Sequence, residues 1–318
     1  MIDEIPRELF ETIILELNPL DFIVLTHVSK KWLNIIKVLK CSTEQQFANY
    51  FAENGYLNLL QWILTIGYKI TKDVSRSAAV GGHLEILKWI HENRFPWHEY
   101  TLAVAARVGH QEILEWTYKN GFSLNEYICS RAARGGHLEV LKWLRENKCP
   151  WDSDTCANAA CGGHFEVLKW ARAHGCEWTY LTCSEAARTN HLDILIWART
   201  NGCDWNFKTC LEAARNNHLD ILRFAHENGC HWDEYVWEYA AIRCHLEILK
   251  YAHENYCPHF EGVKMTICNY ATRCGRIDIL IWAKSNGFLC YDTYICKSAK
   301  INGQLDVLNW ARINGLPE

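Results

Sequence analysis

The feature that most constrains this chain is a period. The segment 81–93, GGHLEILKWIHEN, returns as GGHLEVLKWLREN at 135–147, GGHFEVLKWARAH at 162–174 and NNHLDILRFAHEN at 216–228. Its histidine falls at 83, 110, 137, 164, 191, 218 and 245, six successive steps of twenty-seven. One step upstream the frame lands on Tyr56, and downstream it continues at Arg276, after a longer step, and then at Gln304. Ten units result, covering about 48–318. A fixed period of this length means that one supersecondary unit is copied and stacked, because a single unit cannot bury its own apolar face.

The columns of the frame say what the unit is. Apolar residues one, three, four and six positions after the histidine (Leu84, Ile86, Leu87, Trp89) lie on one face of a helix. An acid two positions after it, as in Glu85, Glu139 and Asp193, suits the first turn of that helix against its dipole. Asn-Gly ten and eleven positions on, as at Asn201-Gly202 and Asn228-Gly229, predicts a left-handed stop. A short loop follows, often Cys-x-Trp, and then a capping residue: Thr71, Asn125, Asp152, Thr179, Asn206 or Asp233. A second helical stretch carries a small residue and an Ala pair, such as Cys156, Ala159 and Ala160, which lets neighbouring helices approach closely. Trp89, Trp116, Trp143, Trp170 and Trp197 exchange with Phe224 and Tyr251, an interchange that predicts core between stacked units.

The period also disposes of tempting chemistry. The chain holds 15 Trp, 15 His and 16 Cys with a net charge of −4. Cys149, Cys156 and His164 recur as Cys176, Cys183 and His191, yet no CxxC knuckle is present and the spacing fits no zinc framework. The Cys columns give way to Phe95, Phe122, Leu102 and Trp237, which no metal ligand could do, so they read as packing, with no metal and no cofactor expected. The His column reads as a hydrogen-bond ladder between neighbouring turns, since seven copies of one active site make no sense; no catalytic residue is assigned. The loop tryptophans Trp97, Trp151, Trp178, Trp205 and Trp232 leave two readings open: rings packed over the adjacent loop, or an aromatic ladder of binding anchors. Basic residues five and eight after the histidine, such as Lys142 with Arg145 and Lys169 with Arg172, suggest a solvated face rather than a nucleic-acid stripe, because acids in the same helices offset them. The long step between His245 and Arg276 inserts residues around Cys257–Met265, including Pro258 and Phe260, a candidate specificity element or tolerated drift.

This pattern resembles the ankyrin repeat, through stretches such as Ala132-Ala133-Arg134-Gly135-Gly136-His137-Leu138-Glu139-Val140-Leu141. It departs in length, since the usual ankyrin unit has about 33 residues and this frame is six shorter. It departs also in the reduction of the T-P-L-H entry to Thr155-Cys156, Thr182-Cys183 and Thr209-Cys210. The missing residues most simply remove the projecting β-hairpin. Short, Trp-rich units of this kind resemble those of large DNA viruses and some protists.

The first forty residues fall outside the frame. They read Ile5-Pro6-x-Glu8-Leu9-x-x-x-Ile13, then Leu17, then Pro19-Leu20-Asp21-Phe22-x-x-Leu25, then Val28-Ser29-Lys30-Lys31-Trp32. Pro6 suits a helix start and Asn18-Pro19 a break, giving two or three short helices. The segment resembles an F-box, with Ile5 in place of the initial Leu and Phe22 in place of the Leu after Asp21. That resemblance implies docking onto the small Skp-type adaptor of a cullin ubiquitin ligase, with Ile5, Pro6, Leu9, Ile13, Leu17 and Phe22 as adaptor contacts. The alternative is a helical cap on the open end of the array.

The expectation is therefore an all-α chain: an F-box-like domain over 1–45 and an α-solenoid of about ten ankyrin-like helix pairs over 46–318. The expected function is a non-enzymatic, substrate-recruiting adaptor of a Skp-cullin-F-box type ubiquitin ligase whose solenoid holds a client protein. The other reading is an ankyrin-type scaffold or sequestering protein with no ligase role. No membrane span is expected and nucleic acid is disfavoured. The acidic N-terminus, MIDEIPRELFE, lacks a secretory pattern, so an intracellular, cytoplasmic setting is expected, in a host cytoplasm if the chain is viral.

Overall fold

The computed structural model describes residues 43–65, 67–260, 262–288 and 294–316. The expected adaptor contacts Ile5, Pro6, Leu9, Ile13, Leu17 and Phe22 lie outside the described residues. Twenty helices are described, and they come in ten pairs. The chain divides into two compact units, one of residues up to Ala105 with His110–Gly121, the other of Ala106–Gly109 with everything from Phe122 onward.

The first unit holds the pair α1 (Thr43–Glu53) and α2 (Leu57–Thr65), the pair α3 (Lys72–Gly81) and α4 (Leu84–Glu92), part of α5 (Thr101–Val108), and α6 (Gln111–Lys119). Here α1 packs on α3, and each of them packs on its own partner. The second unit continues with α7 (Glu126–Gly135) and α8 (Leu138–Glu146), α9 (Ser153–Gly162) and α10 (Phe165–Ala173), then α11 (Tyr180–Arg188) and α12 (Leu192–Thr200). It ends with α13 (Phe207–Arg215) and α14 (Leu219–Glu227), α15 (Tyr235–Ile242) and α16 (Leu246–Glu254), α17 (Val263–Arg273) and α18 (Ile277–Ser285), and α19 (Tyr294–Ile301) and α20 (Leu305–Ile313). The odd-numbered helices α7 to α19 stack one on the next, and each packs against the even-numbered helix that follows it.

That stacking follows from the Ala pair. Ala132-Ala133, Ala159-Ala160, Ala186-Ala187 and Ala213-Ala214 are all fully buried, so the contact is backbone-close with nothing larger to hold the helices apart. The starts of these helices are fixed as expected: side-chain oxygens of Asn125, Asp152, Thr179 and Asn206 accept from the N–H groups of Ile128, Asp154, Leu181 and Lys208. Asp233 does the same with the Tyr235 N–H, at 3.2 Å. Thr71 has the extended backbone of a cap but makes no cap bond.

The second helix of each pair differs from the sequence reading in which residues it buries. The positions three, four and seven after the histidine form the core: Ile86, Leu87 and Ile90, or Val140, Leu141 and Leu144. The tryptophan six positions after it is only half-buried in α4, α6, α8, α10, α12, α18 and α20. A short helix of nine residues can bury one narrow stripe, and the three- and four-spaced positions take it. The helix ends are held twice. Gly202, Gly229 and Gly315 are left-handed as expected, and the preceding asparagine adds a bond from its side-chain amide to the carbonyl four residues back, as Asn201 does to Trp197 at 2.8 Å.

The buried cysteines are donors as well as packing. Cys149, Cys176, Cys203, Cys230 and Cys257 each direct Sγ at the carbonyl of a capping residue one unit earlier: Asn125, Asp152, Thr179, Asn206 and Asp233, at 3.2 to 3.4 Å. In the other column Cys156 and Cys210 point Sγ at the carbonyls of Cys176 and Cys230. The replacement at Trp237 explains itself, because its indole Nε1–H donates to the equivalent carbonyl, that of Cys257, at 3.1 Å. Trp can stand for Cys here because it offers a donor at the same place, while Leu102 keeps only the packing. Burial pushes the Cys257 thiol up to about 12, which suits a structural thiol and not a nucleophile.

Candidate interaction site

One edge of the stacked pairs is made by the turns between paired helices. The ring Nε2 of His137 lies 3.0 Å from the carbonyl of Arg107, thirty residues earlier, and His164 repeats the contact on Arg134. His218 and His245 do the same on Arg188 and Arg215. In the first unit His83 and His110 bind the carbonyls of Glu53 and Val80. Where the column departs from His, another N–H donor takes over: Arg276 Nη1 to the Cys244 carbonyl at 2.8 Å, and Gln304 Nε2 to the Arg273 carbonyl at 3.0 Å. The ring needs room. Gly136 is left-handed (φ +79), and a Cβ placed there would meet the His164 ring at 2.5 Å. Burial lowers the proton affinity of His164 and His245, so both favour the neutral ring.

The opposite edge carries the loop tryptophans, and the structure gives each a set of partners. The Arg145 guanidinium lies 4.2 Å over the Trp151 ring, Arg172 lies 4.1 Å over Trp178, and Arg199 lies 4.2 Å over Trp205. The same guanidiniums donate to the carbonyls of Cys149, Cys176 and Cys203, which locks them against the loop. On its other side each loop ring meets the second-helix aromatic of the next unit edge-on: Trp151 with Trp170 at 5.9 Å, Trp178 with Trp197 at 5.6 Å, Trp205 with Phe224 at 6.1 Å. At Trp232 a histidine replaces the arginine, and His226 stacks on it at 3.9 Å. In the first unit Trp97 meets the His91 ring edge-on at 6.5 Å. In the second unit the loop rings and second-helix rings thus interleave from Trp151 to Tyr251, with Trp151, Trp178 and Trp205 half-buried and Trp232 buried.

The basic face is also accounted for. Lys142, Lys169 and Lys250 pair with Glu139, Glu166 and Glu247 three residues before them, at 2.8 to 3.0 Å. With the arginines committed to tryptophan faces, no free cationic stripe emerges from Lys142, Arg145, Lys169 and Arg172. Among the described residues no group of three His, Cys, Asp or Glu side chains is placed to hold a metal ion. No helix among them is long and apolar enough to cross a membrane.

At the long step the added residues are shared between loop and helix, an outcome the sequence did not show. Helix α17 has 11 residues where α11 and α13 have 9, so part of the insertion extends its start. In the loop Pro258 and His259 are exposed and Phe260 is half-buried. Tyr256, just before them, is left-handed (φ +56) and 92% exposed, at a position where most units have glycine. The sequence signal for Tyr256 was present, as a bulky residue in the Asn-Gly column, but only the backbone gave it meaning.

Among solved structures, the ankyrin repeat domain of human ASB11 is similar to this chain with a TM-score of 0.40 and 18% sequence identity, over 48% of this chain and 82% of that one. At that score the likeness adds nothing to the helix pairs already described. No curated protein sequence matches the chain. Residues 2–42, the stretch that carries Ile5, Pro6, Leu9, Ile13, Leu17 and Phe22, match the F-box domain.

Proposed function

We propose that this chain is a substrate-recruiting adaptor of a Skp-cullin-F-box type ubiquitin ligase, with residues 1–45 as the adaptor-binding domain and 46–318 as the client-binding repeats. The F-box match over residues 2–42 is the observation that carries this reading. In it Ile5, Pro6, Leu9, Ile13, Leu17 and Phe22 contact the Skp-type adaptor. The repeats contribute helix pairs, and their part is to hold a client near ubiquitin-transfer chemistry done elsewhere, through proximity and orientation. Trp97, Trp151, Trp178, Trp205 and Trp232, with Pro258 and Phe260, are the proposed client contacts. If the chain is viral, as its short units suggest by resemblance, the clients are host proteins.

Co-purification of the full chain with a Skp-type adaptor tests the reading. Wild type is expected to retain the adaptor, and Pro6→Ala with Leu9→Ala to lose it while the repeats keep their thermal transition. Failure of wild type to bind, or binding unchanged in the double variant, would leave a repeat scaffold without a ligase role.

A further inference from the structure

In the inter-helix turns, the two residues before the ladder donor are Gly-Gly at 81–82, 135–136 and 162–163, and Thr-Asn or Asn-Asn at 189–190 and 216–217. Thiols stand in these positions only in the eighth and ninth units, as Cys244 and Cys274. They belong to consecutive turns, and the geometry brings them to one atom: Cys244 Sγ lies 3.5 Å from the Tyr270 carbonyl oxygen, which also accepts the backbone N–H of Cys274 at 2.9 Å. Cys274 is the one exposed thiol among the fourteen described cysteines, while Cys244 is 5% exposed. Cys244 is left-handed (φ +57), as are Gly136, Gly163, Asn190 and Asn217 at the same place in their turns.

The surroundings carry both signs, since the Arg276 guanidinium is paired with Asp278 at 2.6 Å. Arg276 binds the Cys244 carbonyl at 2.8 Å and its charge acts on both thiols, and exposed Arg243 precedes Cys244 in the chain. Burial, and then a side-chain contact with Cys274, push the Cys244 thiol up, and an exposed thiol with a second thiol in reach is the setting in which oxidation to a disulfide is favoured. The other described cysteines are buried; most donate to carbonyls or pack in the core, and Cys161 accepts from the Arg188 guanidinium at 2.8 Å.

We propose that Cys274 and Cys244 form an oxidisable dithiol that a hydroperoxide converts into a disulfide joining the eighth and ninth inter-helix turns. In the first step the Cys274 thiolate attacks one oxygen of hydrogen peroxide. The O–O bond breaks, Cys274 becomes a sulfenic acid, and the released hydroxide takes a proton to leave as water. In the second step Cys244 sulfur attacks the Cys274 sulfur, and the sulfenic hydroxyl departs as water with the Cys244 proton. Two thiols and one peroxide give one disulfide and two waters. The bond would staple the turn side of the one long step, between His245 and Arg276, opposite the loop that holds Pro258 and Phe260.

The full chain, treated with hydrogen peroxide, alkylated and digested, tests this by mass spectrometry. The expected product is a Cys244–Cys274 linked peptide from monomeric protein, reversed by dithiothreitol. Before oxidation, alkylation at Cys274 is expected to be roughly tenfold faster than at the buried cysteines. Cys244→Ser is expected to leave Cys274 as a sulfenic acid that dimedone traps, and Cys274→Ser to leave Cys244 unmodified. Recovery of Cys244 as a free thiol beside a sulfinic Cys274, or a disulfide from Cys274 to any other cysteine or chain, would overturn the proposal.

Discussion

From Asp152 to Cys230 successive units meet through the same contacts made by nearly the same residues; between His245 and Arg276 the donors change, and Arg276 reaches the Cys244 carbonyl, two residues beyond the oxygen a histidine takes elsewhere. In the regular stretch cysteines donate to carbonyls, histidines bridge turns, and arginines cover tryptophans. At the long step Trp237 donates in place of cysteine, Arg276 bridges in place of histidine, and Phe288 packs between Trp237 at 5.3 Å and Trp282 at 5.6 Å. At these positions a donor or a flat ring of another residue type takes over the join between units.

The largest test of that equivalence is in the core. Leu195→Ala in α12 and Leu280→Ala in α18, both fully buried, are each expected to cost about 2–5 kcal/mol in denaturant unfolding. A Leu280→Ala cost less than half that of Leu195→Ala would show that the long step is packed more loosely. Next comes the turn: Gly136→Ala forces a Cβ into the left-handed region and against the His164 ring, at a cost of about 2–3 kcal/mol from strain and the lost bond together. A change below about 0.5 kcal/mol would show that the ring moves aside without penalty.

A smaller effect is expected at the donor itself. His164→Ala leaves the Arg134 carbonyl without its ring donor and should cost about 1–2 kcal/mol, whereas His164→Gln, copying Gln304, should recover most of it. If Gln is no better than Ala, the donor equivalence fails. The weakest effect is in pH. Folding holds His164 and His245 below their ordinary value of 6.5, so the unfolded chain binds more protons than the folded one once pH falls through that value. Stability should be flat above it and decline beneath it, and thermal melts of wild type against His164→Gln with His245→Gln should show the variant declining less.

Much of this was legible in the sequence because periodicity is a strong signal for helices and repeats. The positions of both helices, the caps at Asn125, Asp152, Thr179 and Asn206, and the ladder role of histidine follow from side-chain chemistry at fixed offsets. The tryptophans were harder. Hydrophobicity alone placed Trp170 and Trp197 in the core, yet they stand half-buried, because nearby Val167, Leu168, Ile194 and Leu195 fill it first. The cysteines were read by size, and their thiol bonds to carbonyls 20 and 24 residues away appear only in three dimensions. The left-handed backbones of Cys244 and Tyr256 follow the columns they stand in, where most other units carry Gly or Asn, although neither side chain favours that conformation.

The two ladders share one property: their acceptors are main-chain carbonyls. His164 binds the Arg134 oxygen and Cys176 the Asp152 oxygen, and neither bond depends on which side chain Arg134 or Asp152 carries. Every residue supplies such an oxygen, so a unit fastens to its neighbour whatever the neighbour's sequence. A gene with this design can gain or lose whole repeat blocks by unequal recombination, and each new junction finds its bonding partners already in place. The exposed positions of each block are then free to diverge, which lets the array change what it touches while keeping how it is joined.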